Sequence, residues 1–409
     1  MLRSFFSTLP ARRTSSHPLD PDTVLVRSAI VGAGLLVVGA VLLVAGALPV
    51  PDALAVAERV WPILLFVVAI TVVSELCDEA GVFAALAHRA ADWGRGRTWV
   101  LWMLVVAIAV VTTVFLSLDT TAVLLTPVVV VLARHVGLPP LPFALTTVWL
   151  ANTASLLLPV SNLTNLLAQH RLGGPTPAEF AALMAAPAIV AVLVPTAVIA
   201  VLYRRVLTSR YRPDEPAVRP DPVLFRSSIV VLVLLLPALV SGLEVWIPAT
   251  IAAVALVVVF AVRRREVLRF SLVPWQIVVF ASGLFLVVDA ANALGLDSIV
   301  DAVAGEGEGF VELLRLAGAS AAGANAINNL PAYLALESIA GTPDRMAAVL
   351  IGVNAGSLVT PWASLATMMW HSRLVSLGVD VSWGRYAALG LLVMPLTVVA
   401  AVAALVAVP

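Results

Sequence analysis

Two stretches of this chain crowd amides and hydroxyls into apolar surroundings. "NTASLLLPVSNLTN" runs from Asn152 to Asn165, and "NAGSLVTPWASLAT" runs from Asn354 to Thr367. Asn152, Ser155, Leu156, Pro159 and Leu163 recur at a constant offset as Asn354, Ser357, Leu358, Pro361 and Leu365. Taken with nearby polar residues, the first cluster offers Asp119, Thr120, Thr121, Asn152, Thr153, Ser155, Ser161, Asn162, Thr164 and Asn165. The second offers Asn325, Asn328, Asn329, Asn354, Ser357, Thr360, Ser364 and Thr367. Such sets of neutral donors and acceptors hold a hydroxylated or oxyanionic solute without a strong fixed charge. Any single Ser or Thr can instead bond its own helix carbonyl or glue two helices together. Repetition of the Asn–Pro clusters in the same order points to binding.

Asp119 is the sharpest single residue. An ionised Asp at the middle of a bilayer costs roughly 2.5–3.5 kcal/mol on insertion scales. Such a group carries a coupling proton, ligates a cation, or caps the helix that starts at Thr120. Glu75 and Asp289 fall at the ends of apolar segments and read as interfacial. His17, His88, His135, His170 and His371 do not cluster, so no metal site is expected. No nucleophile–base constellation is present, so no catalytic residue is assigned and the chain is not read as an enzyme.

These residues need elements that place them inside a membrane. The chain has 409 residues, 61% hydrophobic and 12% charged, whereas a soluble domain carries roughly 25% charged residues. Apolar runs of membrane-spanning length recur throughout. Candidate segments are 28–49, 58–77, 98–134, 142–168, 178–203, 224–241, 245–262, 273–292, 310–340, 346–370 and 384–407. The 98–134 and 310–340 regions are each either two short spans or one re-entrant hairpin. All 24 basic residues are arginine, which excludes the phosphate loop that needs a lysine. The formal net charge is zero, which gives no footprint for nucleic acid, and the single cysteine, Cys77, forms no intrachain disulfide.

Arginine placement gives an orientation. Arg204, Arg205, Arg210, Arg212, Arg219 and Arg226 mark 204–226 as cytoplasmic, and Arg263, Arg264, Arg265 and Arg269 mark another cytoplasmic loop. The arginine-free 242–248 faces out. Arg89, Arg95 and Arg97 put 78–97 inside as a loop, and His371 and Arg373 are also expected inside. Trp93, Trp99, Trp102, Trp370 and Trp383 read as interfacial anchors. The division is a cytoplasmic tail at 1–27, a first membrane repeat at 28–203, a Pro-rich linker at 204–226 and a second repeat at 227–409. Glu75 precedes Gly81 as Asp289 precedes Gly295, and "DTTAVL" at 119–124 aligns with "NLPAYL" at 329–334. By the arginine count, 58–77 and 273–292 run in opposite directions. The fold class is therefore an all-α polytopic membrane protein of two inverted-topology repeats, with re-entrant hairpins and unwound transmembrane helices. That is the architecture of secondary transporters with a midplane site.

At "LDTTAVLLTPVVV", "NAINNLPA" and the two Asn–Pro clusters, the chain resembles the arsenical pump membrane protein family. More broadly it is similar to the ion transporter superfamily of citrate-type carriers and divalent anion:sodium symporters. The resemblance implies a multi-pass cell-membrane carrier assembled as a homodimer in the lipid bilayer, and the arginine pattern puts its N-terminus in the cytoplasm. It implies hairpin tips at Leu118–Thr120 and Asn328–Asn329, and unwound segments at Ser161–Asn165 and Ala363–Thr367. Sodium-coupled relatives carry Ser-Asn-Thr at the tips. Leu118-Asp119-Thr120 stands here instead, which favours protons over sodium, with no other cofactor. The implied activity is export of arsenite or a related oxyanion by proton-coupled antiport. The alternatives are carriage of a citrate-like or other small anion, and a membrane subunit driven by a cytoplasmic ATPase.

Overall fold

The computed structural model describes residues 21–46, 49–212, 221–295 and 305–407. Residues 1–20 of the expected tail and 213–220 of the expected linker lie outside this set. Among the described residues every regular element is helical, apart from one isolated bridge between Arg97 and Arg210. The first run comprises α1 (Pro21–Val44), α2 (Val50–Glu79), α3 (Val82–Trp93), α4 (Thr98–Leu116), α5 (Leu118–His135), α6 (Leu141–Thr153), α7 (Leu163–Arg171) and α8 (Pro177–Leu202). The second comprises α9 (Pro222–Leu239), α10 (Trp246–Arg263), α11 (Trp275–Ala293), α12 (Phe310–Ala326), α13 (Asn329–Leu336), α14 (Pro343–Leu350), α15 (Leu365–Ser376) and α16 (Trp383–Ala407). Of these, α2, α4, α5, α8, α9, α10, α11 and α16 are long and apolar enough to cross a membrane. The chain is an all-α, multi-pass membrane protein.

The helices pack in two groups. α1 lies along α11, α2 along α10, and α9 along α10. Gly32 and Gly283 make the first of these approaches possible, because a Cβ on Gly283 would collide with the backbone at Leu36 and Gly32; small residues let helix backbones close up where lipid gives no hydrophobic drive. The other group, α4 to α8 and α12 to α16, closes on itself, with α8 along α16. Outward stripes at helical spacing, such as Val230, Val233 and Leu234 on α9 and Ile251, Val254 and Val258 on α10, are exposed apolar surface suited to lipid.

Four helices begin inside this second group. α4 gives way to α5 at Ser117 (φ 120°, ψ 161°), and α12 gives way to α13 at Asn328 (φ 145°, ψ 158°). Non-glycine residues rarely adopt positive φ, so each is a sharp corner. The first corner lies one residue before the tip expected at Leu118–Thr120. α6 ends at Thr153 and α7 starts at Leu163, with only short 3₁₀ turns between. α14 runs through a π-turn at Ile351–Ala355, and helix resumes at Leu365. The unwound stretches begin before the expected Ser161–Asn165 and Ala363–Thr367 and overlap them at Ser161–Asn162 and Ala363–Ser364, while the later residues are already helical. Pro159 and Pro361 sit in these gaps because proline lacks the N–H that would continue the ladder. Extended Asn162 (φ −154°) and Ser364 (φ −144°) stand at the N-cap positions where helix restarts.

Other expectations need correction. Residues 78–97 are not a loop: α3 fills most of them and buries Val82, Phe83, Ala87, Ala90 and Ala91. Its charged face hid an apolar face too short to register as a span. Trp102 and Trp370 are core residues, not interfacial anchors; their indole N–H groups reach Thr146 Oγ1 and the Ala144 carbonyl, each at 2.8 Å. His371 and Arg373, expected just beyond the 346–370 segment, lie within α15.

Candidate functional site

The two Asn–Pro clusters meet at Asn354. Its Oδ1 accepts from Asn162 Nδ2 at 2.8 Å and from Thr164 Oγ1 at 3.0 Å. Its Nδ2 donates to Asn165 Oδ1 at 2.9 Å. Asn165 Nδ2 in turn donates to the Ser155 and Leu158 carbonyls, at 2.7 and 3.0 Å. Asn152 Oδ1 accepts from Ser357 Oγ at 3.3 Å. These carbonyls were freed by unwinding, and buried ones need partners. The asparagines supply those partners where water is absent.

This accounting sorts the expected site residues. Ser155, Ser357 and Ser161 donate to the backbone carbonyls of Asn152, Asn354 and Val114. Thr360 Oγ1 donates to the Asn325 carbonyl at 2.8 Å. Thr367 Oγ1 lies 3.5 Å from Asn152 Nδ2. Thr120 Oγ1 bonds Ser74 Oγ of α2 at 3.0 Å. Asn152, Ser155, Ser161, Thr164, Asn165, Asn354, Ser357, Thr360 and Thr367 thus knit the crossing together and do not line the cavity beside it.

That cavity, about 90 Å³, is lined by Asp119, Asn162, Asn328, Asn329 and Ser364 from the expected set. Ser117, Leu118, Leu163, Leu330 and Leu365 join them. All four interrupted helices point their N-termini at it: α5 from Ser117, α7 from Asn162, α13 from Asn328 and α15 from Ser364. A helix N-terminus leaves N–H groups without intrahelical partners and carries about half a positive charge. Such ends are ready sites for oxygen-rich ligands. An apolar wall of Phe66, Val67 and Ile70 from α2 with Ile277 and Phe280 from α11 completes the cavity.

Three caps hold their own helices: Ser117 Oγ accepts from Thr120 N–H at 3.3 Å, Asn162 Oδ1 from Thr164 N–H at 3.3 Å, and Asn328 Oδ1 from Leu330 N–H at 3.2 Å. Ser364 does not; its Oγ is buried without a partner among the described residues. Asp119 is not the cap that its sequence position suggested. Ser117 takes that role, and the Asp119 carboxylate has no ion pair among the described residues. Ser117 was missed, although a Ser at the N-cap of a helix with an acid in its first turn is a start signal.

A second cavity, about 470 Å³, is lined by Ser74, Glu75, Glu79, Thr120, Arg264, Glu266, Arg269 and Arg373, among others. Thr71, Asp119 and Ile277 line both cavities. Exposed Glu79, Glu266 and Arg269 put its rim at the surface. Asp119 therefore stands between the central cavity and a charged vestibule. Among the described residues no His/Cys/Asp/Glu group is arranged to hold a metal ion.

Comparison with known proteins agrees with this architecture. A sequence profile of the citrate transporter family matches residues 24–349. The arsenical pump membrane protein of Yersinia enterocolitica is 31% identical over 380 residues, covering 84% of this chain and 85% of its own. That of Escherichia coli is 31% identical over 373 residues, covering 82% and 84%. A putative arsenical pump membrane protein of Bacillus subtilis is 25% identical over 377 residues, covering 78% and 81%. With its crossing of unwound helices and this coverage, the chain is a secondary transporter that belongs to the citrate transporter family, alongside the arsenical pump membrane proteins.

Proposed function

We propose that this carrier exports arsenite, or a closely similar small oxygen acid, from the cell by proton-coupled antiport. The observation that carries the reading is the convergence of four helix N-termini, the free Ser364 hydroxyl and the unpaired Asp119 carboxylate on one small cavity. Arsenite at neutral pH is an uncharged trihydroxide. Its oxygens accept from helix N–H groups while its hydroxyls donate to Asp119 and to the Asn329 amide oxygen. Among the described residues no Arg or His lines the cavity to neutralise a tricarboxylate.

Alternating access between two inverted repeats completes the reading. Arg134, at the end of α5, donates to the Leu377 and Gly378 carbonyls just beyond α15. α13, the counterpart of α5, ends instead at Glu337, against Arg59 near the start of α2. Matching elements thus head for opposite faces, which supports inversion. The arginine-rich vestibule is the cytoplasmic side by charge, with the N-terminus inside and the site open inward. A homodimer is the expected assembly.

The test is transport by the purified chain in proteoliposomes, with arsenite, other oxyanions and citrate offered under separate proton and sodium gradients. Proton-driven arsenite movement is expected. Transport of citrate alone, or none without a cytoplasmic ATPase, would select one of the rival readings.

A further inference from the structure

We infer that Arg59 and Glu337 form a latch that closes the face of the molecule opposite the vestibule. The inference rests on the alternating-access reading above. The pair is bidentate: Arg59 Nη1 donates to Glu337 Oε1 at 2.8 Å and Nη2 to Oε2 at 2.6 Å. Paired guanidinium and carboxylate forks are among the stronger polar contacts a protein makes. The two side chains are 22% and 10% exposed, so water screens them little.

The position of the pair gives it a mechanical role. Arg59 lies on α2, which belongs to the packing group of α1, α9, α10 and α11. Glu337 closes α13, which belongs to the other group and begins at the central cavity. Thr71, Ser74, Glu75 and Glu79 of α2 face the vestibule. Arg59 is twelve residues before Thr71, about 18 Å away along a helix. Neither cavity reaches past Phe66 toward the start of α2. The contact therefore ties the two groups together on the closed side, one short helix from the bound solute.

The latch is built to release. Glu337 is the C-cap of α13, and a carboxylate is disfavoured at that negative end of a helix. Arg59 Nε is buried with no partner among the described residues, so the guanidinium is incompletely satisfied there. A buried ion pair with such defects adds little net stability compared with an apolar contact of the same size. Its service is to hold one of two arrangements. Movement of the α13 tip as solute binds is transmitted along eight residues to Glu337. When the pair parts, the two groups separate on that face.

The experiment measures access to the central cavity directly. In a chain with Cys77→Ala, a cysteine at Ile70 is labelled in oriented vesicles by a membrane-impermeant maleimide from either side. Glu337→Gln, which keeps the shape of the side chain, is expected to raise labelling from the side opposite the vestibule by about tenfold, the scale of losing charge-assisted bonds. The exchanged pair Arg59→Glu with Glu337→Arg is expected to return it toward the parent rate. Labelling from that side that ignores the pair would overturn the latch. So would a Glu337→Gln chain that fails to reach the membrane while the exchanged pair restores its abundance and not the labelling pattern. If the parent is never labelled from that side under any gradient, alternating access itself fails.

Discussion

On the proton-antiport reading, Asp119→Asn separates energy coupling from binding. The helix α5 is capped by Ser117, so the substitution removes no cap. It removes only a negative charge from the first turn, worth about 0.3–1 kcal/mol against the macrodipole, and relieves the insertion cost of that charge. The variant is expected to insert and fold. Its transport is expected to change in kind. One proton exchanged per solute across a pH step of one unit supplies about 1.36 kcal/mol. The parent then builds about a tenfold solute gradient when no voltage is applied. The variant has no titratable group in the central cavity and should stop at equal concentrations, while exchange of labelled for unlabelled solute persists. The assay is proteoliposome uptake with an imposed pH step, read against counterflow in the same preparation. An Asp119→Asn carrier that still concentrates solute tenfold would refute the reasoning and place the coupling group elsewhere.

Other perturbations probe other layers. Asn354→Ala removes three buried hydrogen bonds at about 1 kcal/mol each; it should lower the thermal midpoint of the purified protein by several degrees, and an unchanged midpoint would deny that Asn354 ties the halves together. Ser364→Leu should abolish solute binding by filling the cavity with little loss of membrane insertion, and retained affinity in a binding titration would move the site. Gly356→Ala should fail to express folded protein, because its Cβ would run into Gly352 and Ala321; normal yield on size exclusion would contradict that packing. Cysteines placed at Arg210 and Glu244 should label from opposite faces, and labelling from one face would break the topology.

Sequence alone made the broad architecture legible because lipid imposes a strong rule: apolar length marks spans, and amides or prolines within them mark breaks. It placed both crossings, since Asn152 and Pro159 recur as Asn354 and Pro361. It did not tell cavity walls from internal struts. Asn162 and Asn165 are three residues apart, yet one faces the cavity and the other is spent on the Ser155 and Leu158 carbonyls. That choice depends on which carbonyls the gap frees, and those are fixed only when the two halves meet. The corner at Ser117 lies one residue before the tip that the resemblance implied at Leu118–Thr120; the backbone matches Ser117 with Asn328, whereas aligning "DTTAVL" with "NLPAYL" matches Leu118 with Asn328. The apolar wall carries no motif and comes from distant α2 and α11.

The same one-residue offset has an electrical consequence. Two positions past its corner, α5 presents Asp119; two positions past the matching corner, α13 presents Leu330. On the inverted-repeat reading, a cavity built from two similar halves therefore holds one titratable group among the described residues, not two. On the antiport reading, one proton enters for each solute that leaves. If that solute is an uncharged trihydroxide, each turnover carries one net positive charge inward. Membrane voltage then adds about 2.3 kcal/mol per 100 mV to the driving force. A polarised cell would expel the solute at equal pH on both sides, and a voltage clamp across a planar bilayer would record the export as a current.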